Sequence, residues 1–370
     1  MIFIFNDSRI EISNDAIAAS SGGTSAHLAA FITFLIRKKI PFRLCGNFKQ
    51  TGNSIPVTSI ITNSNFLFLL RLFKKLLRLK LKRSDVLYFQ RPDHAALASL
   101  VKGTVVVHLH GQPRETILHS RNTLTKATYC ILELIAFRIA DRIVMTDRNT
   151  FTYYRDLFPE MSDKFVILPT AIDLAFYQPV SGQDGYPTLK KGRQIIFAGR
   201  FAYPKRIDQI VKAFGKISAW DDQIRLVLAG EGPLKPEIER LAGVMNLSGK
   251  ITFTGNLTKA ELLNWIQSSD IAILLSFNEG SPVSVKEFLA CGVPVVANAV
   301  GDLAEYIVDG KTGKIVNADD LTSVAEGIKE VITAAPSMKS QCREMMKPFD
   351  TSCINPSLLS YLAKPELEKK

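Results

Sequence analysis

The sequence predicts an α/β protein made of two doubly wound domains with parallel sheets, and three observations lead there. Its 370 residues exceed what one hydrophobic core usually serves. Short apolar runs of strand length alternate with helical patterns in both halves, as parallel sheets with crossover helices require. Several of these runs end in glycine-rich or charged loops, and ligands of open α/β sheets bind at the carboxyl ends of strands.

In the first half, strands are expected at 1–6, 40–45, 55–61, 85–90, 104–109, 142–146 and 164–168. A helix from about Ser25 to Lys38 follows the Gly22-Gly23 turn, and the polar stretch Asn6 to Ser21 before it reads as a mobile loop that orders with ligand. The run Val105 to Leu109 is followed by His110, with His108 two residues earlier on the same face. Arg114 and Glu115 come next, placed by position alone to touch a second substrate. Pro, Gly and polar residues from Asp173 to Gly192 mark a linker, giving a first domain of 1–172, a linker of 173–192 and a second domain of 193–339.

The second half carries the sharper chemistry. The strand Gln194 to Ala198 ends in Gly199-Arg200, and Lys205 follows at a spacing that lets two cations reach one point. Such a pair suits a departing diphosphate, with Arg as a planar fork and Lys as a point charge. A second strand, Arg225 to Gly230, closes with Gly230-Glu231-Gly232-Pro233, which would let backbone approach a ligand closely. A third, Asp270 to Ser276, reads as a buried parallel strand that leaves Glu279 on its carboxyl-end loop. Ser281 is a good N-cap and Pro282 a good first helical residue, so a helix should run to about Cys291 and stop at Gly292. After Gly280, the amides of Val283 and Ser284 at its start would face an anion such as a diphosphate. Glu287, five residues past Pro282, sits roughly 7.5 Å further along the axis, a span suited to ribose hydroxyls. An ordinary strand-loop-helix with two surface glutamates is the alternative.

Taken together, Glu279 and Glu287 with seven residues between them, Gly199-Arg200 with Lys205, Ala290 to Val296, Gly301-Asp302, Asp309 to Gly313, Gly22-Gly23 with His27, and His108 to Gly111 resemble the retaining glycosyltransferases of the GT-B fold, the large group 1 (GT4-type) family. The resemblance spans nearly the whole chain. It implies two Rossmann-like domains facing a cleft and a C-terminal tail from about 340 to 370 that rejoins the first domain. It also implies transfer of a sugar from a nucleotide-diphosphate donor, a UDP-sugar ahead of a GDP-sugar, to a hydroxyl of a glycan or lipid-linked acceptor in cell-surface polysaccharide or lipopolysaccharide synthesis. His110, Glu279, Arg200 and Lys205 take the catalytic roles under this resemblance. Gly22, Gly23, Gly199, Arg200, Lys205, Gly280, Ser281, Val283, Ser284 and Glu287 take the donor. No D-x-D triplet occurs, so neither a metal nor any cofactor is expected, the nucleotide-sugar being a substrate. A sugar-nucleotide 2-epimerase on the same architecture and a non-catalytic donor-binding scaffold are the rival readings, and no carboxylate is clearly placed as a nucleophile.

The net charge of +11 calls for a partner. Much of it lies in Phe66 to Arg83, read as a basic amphipathic helix in which Phe66, Leu69, Leu70, Phe73, Leu76, Leu77 and Lys80 share a face and Arg71, Lys74, Lys75 and Arg78 lie mostly elsewhere. That pattern fits an anionic membrane surface, and it also fits a crossover helix covering the sheet. Nucleic acid is not expected, because no aromatic platform accompanies the charge. The five cysteines (45, 130, 291, 342 and 353) show no metal-type spacing and point to a reducing compartment. Ile2 to Phe5 reads as a first strand and not a signal peptide, and no run approaches the roughly 18 apolar residues of a span. The expected location is cytoplasmic, peripheral on the inner membrane face.

Overall fold

The computed structural model describes residues 1–13, 17–19, 23–51, 55–60, 65–118, 122–179 and 192–363. Two compact units emerge: residues 1–171 together with the chain from Thr351, and residues 172–350.

The first unit's strands are β1 (Ile2–Ser13), β2 (Ile17–Ala19), β3 (Phe42–Thr51), β4 (Val57–Ser59), β5 (Val86–Phe89), β6 (Thr104–Leu109), β7 (Arg142–Met145) and β8 (Phe165–Ile167). Its helices are α1 (Gly23–Arg37), α2 (Asn65–Arg78), α3 (Pro92–Ala95), α4 (Pro113–Leu118), α5 (Thr123–Ile139) and α6 (Arg148–Leu157). The sheet runs β4-β3-β1-β5-β6-β7-β8, parallel throughout, with β2 antiparallel beside β1. The chain starts in the middle, moves out through β3 to β4, then returns to the other side of β1 with β5, so the topological switch point lies between β1 and β5. Alternation explains why both faces are covered. Phe3, Phe5, Leu87, Phe89, Val105 and Val107 enter one core with α2 and α5, whereas Ile2, Ile4, Val86, Tyr88 and Val106 enter the other with α1.

One expectation fails here. The stretch expected as a loop from Asn6 continues as strand: after a register shift between Asn6 and Ile10, β1 pairs Ile10–Ser13 with Phe48–Thr51, and Ile17–Ala19 folds back against it. The alternation Ile10-Glu11-Ile12 is a strand pattern that the surrounding polar residues obscured.

The second unit contains β9 (Gln194–Ala198), β10 (Arg225–Ala229), β11 (Ile251–Gly255), β12 (Ile271–Leu274), β13 (Val295–Ala297) and β14 (Gly313–Ile315), all parallel in the order β11-β10-β9-β12-β13-β14. Its helices are α7 (Ile207–Trp220), α8 (Lys235–Val244), α9 (Lys259–Gln267), α10 (Val283–Ala290), α11 (Leu303–Tyr306) and α12 (Leu321–Met346). The order reverses between β9 and β12. Helix α12 continues past residue 340 and stays with this unit, because Val331, Ile332, Ala335, Met338, Cys342 and Met346 keep burying one face in its core. The chain leaves only after Asp350, and α13 (Thr351–Leu362) then packs on α1 through Ile354, Leu358 and Leu362. Of the expected linker, residues 173–179 already belong to the second unit, where Tyr177 is buried, and 180–191 lie outside the described residues. Among the described residues no helix is long and apolar enough to cross a membrane.

Candidate active site

At the second unit's switch point, the loops after β9 and β12 are fastened to each other. Lys205 bridges Ser276, the Arg206 N–H donates to the Leu275 carbonyl at 3.0 Å, and the Phe277 N–H donates to the Pro204 carbonyl at 3.1 Å. This fastening carries the Lys205 ammonium onto the Glu279 carboxylate, and the two form a largely buried ion pair. Of the two cations expected to reach one point, the structure pairs Lys205 with a carboxylate. Arg200 is exposed and makes no ion pair among the described residues, whereas Lys205 is matched to a carboxylate from the neighbouring loop. Arg206, which the sequence did not single out, lies 4.4 Å from the Phe277 ring and reaches Asp319 at 2.6 Å.

Helix α10 begins one residue later than expected. Pro282, in an extended conformation, is its N-cap and offers no side-chain hydrogen bond. Ser281, the expected cap, instead donates its hydroxyl to Asp302 Oδ2 at 2.6 Å, because a buried carboxylate is a stronger acceptor within its reach. The first amides of α10, Val283 and Ser284 among them, have no intrahelical partner by helix geometry and keep the positive end of the dipole. Gly280 offers its carbonyl to the Asp302 N–H at 3.0 Å. The glycines of Gly230-Glu231-Gly232 admit neighbouring backbone in place of a ligand. With φ of +139° and +159°, a Cβ there would lie 2.0 Å from the Gly199 carbonyl oxygen and 2.4 Å from that of Phe201.

Glu287 is 8% exposed, and its Oε1 accepts from the Tyr177 hydroxyl at 2.6 Å. Burial pushes this carboxyl up to about 7, against the opposing effect of Tyr177 and the charge of Lys259. The residue expected to hold a ribose thus already has one protein partner, Tyr177, from the stretch expected as a linker.

In the first unit, Gly22 lies outside the described residues and Gly23 opens α1. Beside the switch point, His27 of α1 meets His108 and His110 at the end of β6, with ring centroids 5.1 and 5.4 Å away, while His108 and His110 stack at 4.3 Å. His108 is fully buried with Nδ1 2.5 Å from the Tyr88 hydroxyl, and half-buried His110 has Nε2 2.8 Å from Gln90 Oε1. With that carbonyl oxygen facing it, Nε2 of His110 carries the proton and Nδ1 keeps its lone pair. Burial, then the neighbouring imidazoles, holds both His108 and His110 well below the ordinary histidine range. Arg114, expected near an acceptor, instead pairs at 2.7 Å with fully buried Glu133, which also accepts from the Tyr154 hydroxyl at 2.8 Å. The Glu115 side chain lies outside the description. No group of three or more His, Cys, Asp or Glu side chains among the described residues forms a metal cluster.

Helix α2 divides its apolar residues between two faces. Phe68, Leu72 and Leu76 are buried in the first unit's core, and Leu67, Leu70 and Leu77 are exposed beside Arg71, Lys74, Lys75 and Arg78. The face expected to join Leu70, Leu76 and Leu77 is therefore split, since the sheet takes the i, i+4, i+8 row centred on Leu72. The Phe66 side chain lies outside the description.

Two doubly wound units with side chains gathered at both switch points define a protein of the two-domain GT-B fold. Residues 184–347, the greater part of the second unit, match the family described as glycosyl transferases, group 1. Sucrose-phosphate synthase from Thermosynechococcus elongatus superposes with a TM-score of 0.78 at 18% identity over 97% of both chains. The Anabaena HepE protein, solved in complex with UDP and glucose, superposes with a TM-score of 0.75 at 16% identity over 98% of this chain and 99% of its own. Among curated relatives, the D-inositol 3-phosphate glycosyltransferase of Mycolicibacterium smegmatis is 27% identical over 212 residues, 55% of this chain and 48% of that protein. The chain spans about half the length of the first curated relatives it matches.

Proposed function

We propose that the protein is a retaining glycosyltransferase that moves a sugar from a nucleoside diphosphate, UDP ahead of GDP, to a hydroxyl of a glycan or lipid-linked acceptor in cell-surface polysaccharide or lipopolysaccharide synthesis. The observation that carries this reading is the Lys205–Glu279 pair at the switch point of the unit that matches the glycosyl transferase family. Its chemical task is to stabilise the negative charge that develops on the departing diphosphate. Lys205, Arg200 and the amides that open α10 supply the positive field, and Gly199, Gly280 and Ser281 let the phosphates approach. Donor binding would draw Lys205 toward phosphate and release Glu279 for sugar hydroxyls. Glu287 would hold the ribose, and neutral His110, with its Nδ1 lone pair, would accept a hydroxyl of the transferred sugar. The HepE complex with UDP and glucose supports the donor class.

The exposed leucines and cations of α2 support docking on an anionic membrane surface, where a lipid-linked acceptor would be presented, on the cytoplasmic side. The reading needs no metal or other cofactor and assigns no nucleic acid partner. It is tested by thermal shift of the purified protein with UDP, GDP, ADP, CMP and dTDP, with and without magnesium, followed by hydrolysis and transfer assays with the sugar donors of any hit. Stabilisation by one diphosphate independent of magnesium is expected; no stabilisation by any nucleotide sinks the reading.

A further inference from the structure

Inside the stretch between Glu279 and Glu287 lies a charge whose purpose packing alone does not explain. Lys286 is fully buried on α10 among Val285, Phe288 and Leu289. Its ammonium donates to Ser281 Oγ at 2.6 Å, lies 3.2 Å from Asp302 Oδ2, and sits 4.4 and 5.3 Å from the ring centroids of Phe349 and Tyr306. Asp302, 2% exposed, receives the Ser281 hydroxyl on Oδ2 and the Tyr306 hydroxyl on Oδ1 at 2.7 Å, and its own N–H donates to the Gly280 carbonyl. Gly301 completes the contact. At φ +57° its Cβ would lie 2.0 Å from the Gly280 carbonyl oxygen, so only glycine lets the two loops touch.

A buried ion pair is commonly no better for stability than apolar residues of the same volume. What this pair holds is the backbone and hydroxyl of Gly280-Ser281, the residues between Glu279 and the start of α10. We propose that Lys286 and Asp302 are positioning residues for the donor: they clamp the Glu279–Pro282 loop so that the Glu279 carboxylate and the first α10 amides keep one arrangement. The proposal rests on the reading of this loop as the diphosphate site.

The test compares wild type with Lys286→Met, Asp302→Leu and the double variant. Each single variant leaves a buried charge or acceptor without its partner and should lower the melting temperature, and the double variant should recover most of it. Hydrogen exchange of the peptide covering 278–284 in the recovered double variant should nevertheless quicken by about tenfold or more relative to wild type, with β9 and β10 peptides unchanged. The UDP Kd and the donor KM should rise by about tenfold or more, with a smaller change in kcat. A double variant that regains stability with wild-type exchange, UDP affinity and donor KM overturns the clamp and leaves the pair a packing element. A double variant that stays unfolded is replaced by Asp302→Asn, which keeps the side chain's shape while removing its charge and turning one of the two acceptors into a donor; wild-type exchange and UDP affinity there overturn the proposal equally. Wild-type protein that binds no nucleoside diphosphate sinks the functional reading itself, a result separate from equal binding by wild type and variant.

Discussion

The two switch points use opposite electrostatics. In the second unit the meeting loops carry charge, with Lys205 on Glu279 and Lys286 on Asp302. In the first unit the corresponding place gathers three imidazoles with Tyr88 and Gln90, and burial holds two of those rings, His108 and His110, uncharged at neutral pH. That unit exposes Arg71, Lys74, Lys75 and Arg78 on α2 and pairs its Arg114 with the buried Glu133. Under the proposed reading the difference is a division of labour: stabilising developing negative charge calls for fixed cations and helix dipoles, and orienting hydroxyl groups calls for neutral donors and acceptors of set direction.

The strongest way to break this comparison is at the charged pair. Lys205→Ala is expected to lower kcat by about 10²–10³-fold with a smaller change in donor affinity, and steady-state kinetics with the identified donor checks it. Comparable losses in Kd and kcat would mean that Lys205 binds the donor equally in ground and transition states.

Glu287 adds a pH signature. Its folded value of about 7 lies above the ordinary 4.5, so the folded state holds the proton more tightly. The corresponding stability is fully present below about pH 4.5 and is lost as pH rises through about 7, a change of at most about 3 kcal/mol. Denaturant unfolding of wild type and Glu287→Gln from pH 4.5 to 8 should show their difference shrinking or reversing across that window; parallel curves would remove the raised carboxyl. Glu287→Ala should also weaken donor binding by about tenfold, the worth of a hydrogen bond to a charged group.

The cations of the first unit are tested on vesicles. Replacing Lys74, Lys75 and Arg78 with Gln should reduce binding to anionic vesicles by about tenfold or more, since each cation near such a surface contributes about 1 kcal/mol. Unchanged co-sedimentation would leave α2 a crossover helix only. The smallest effect is expected at the neutral cluster: His110→Ala should lower kcat/KM by about tenfold, as loss of one hydrogen bond does. Because His110 titrates well below 6.5, the wild-type to His110→Ala ratio should stay flat between pH 6.5 and 8. A ratio that changes there would show a charged imidazole and erase the contrast between the two units.

Periodicity and loop chemistry determined much of this protein without coordinates. Apolar strand-length runs marked ten of the fourteen strands, as at Val105–Leu109 and Ile271–Leu274, and missed β2, β11, β13, β14 and the far end of β1. That Glu279, Lys205 and His110 lie at strand ends was legible, because the order of strands and loops is a matter of local pattern along the chain. Partners were not legible, because they depend on which distant loop folds against which. Nothing adjacent in sequence tells that Lys205 meets Glu279 and not Arg200, that Tyr177 reaches Glu287 across 110 positions, or that Gln90 orients His110. A lysine set among Val285, Phe288 and Leu289 was the one available sign of a buried counter-charge, and only the tertiary structure could name Asp302 as the acid that meets it. The physical reason is that hydrophobic pattern sets which face of an element turns inward, whereas pairing of buried polar groups is decided by the contacts those inward faces then make.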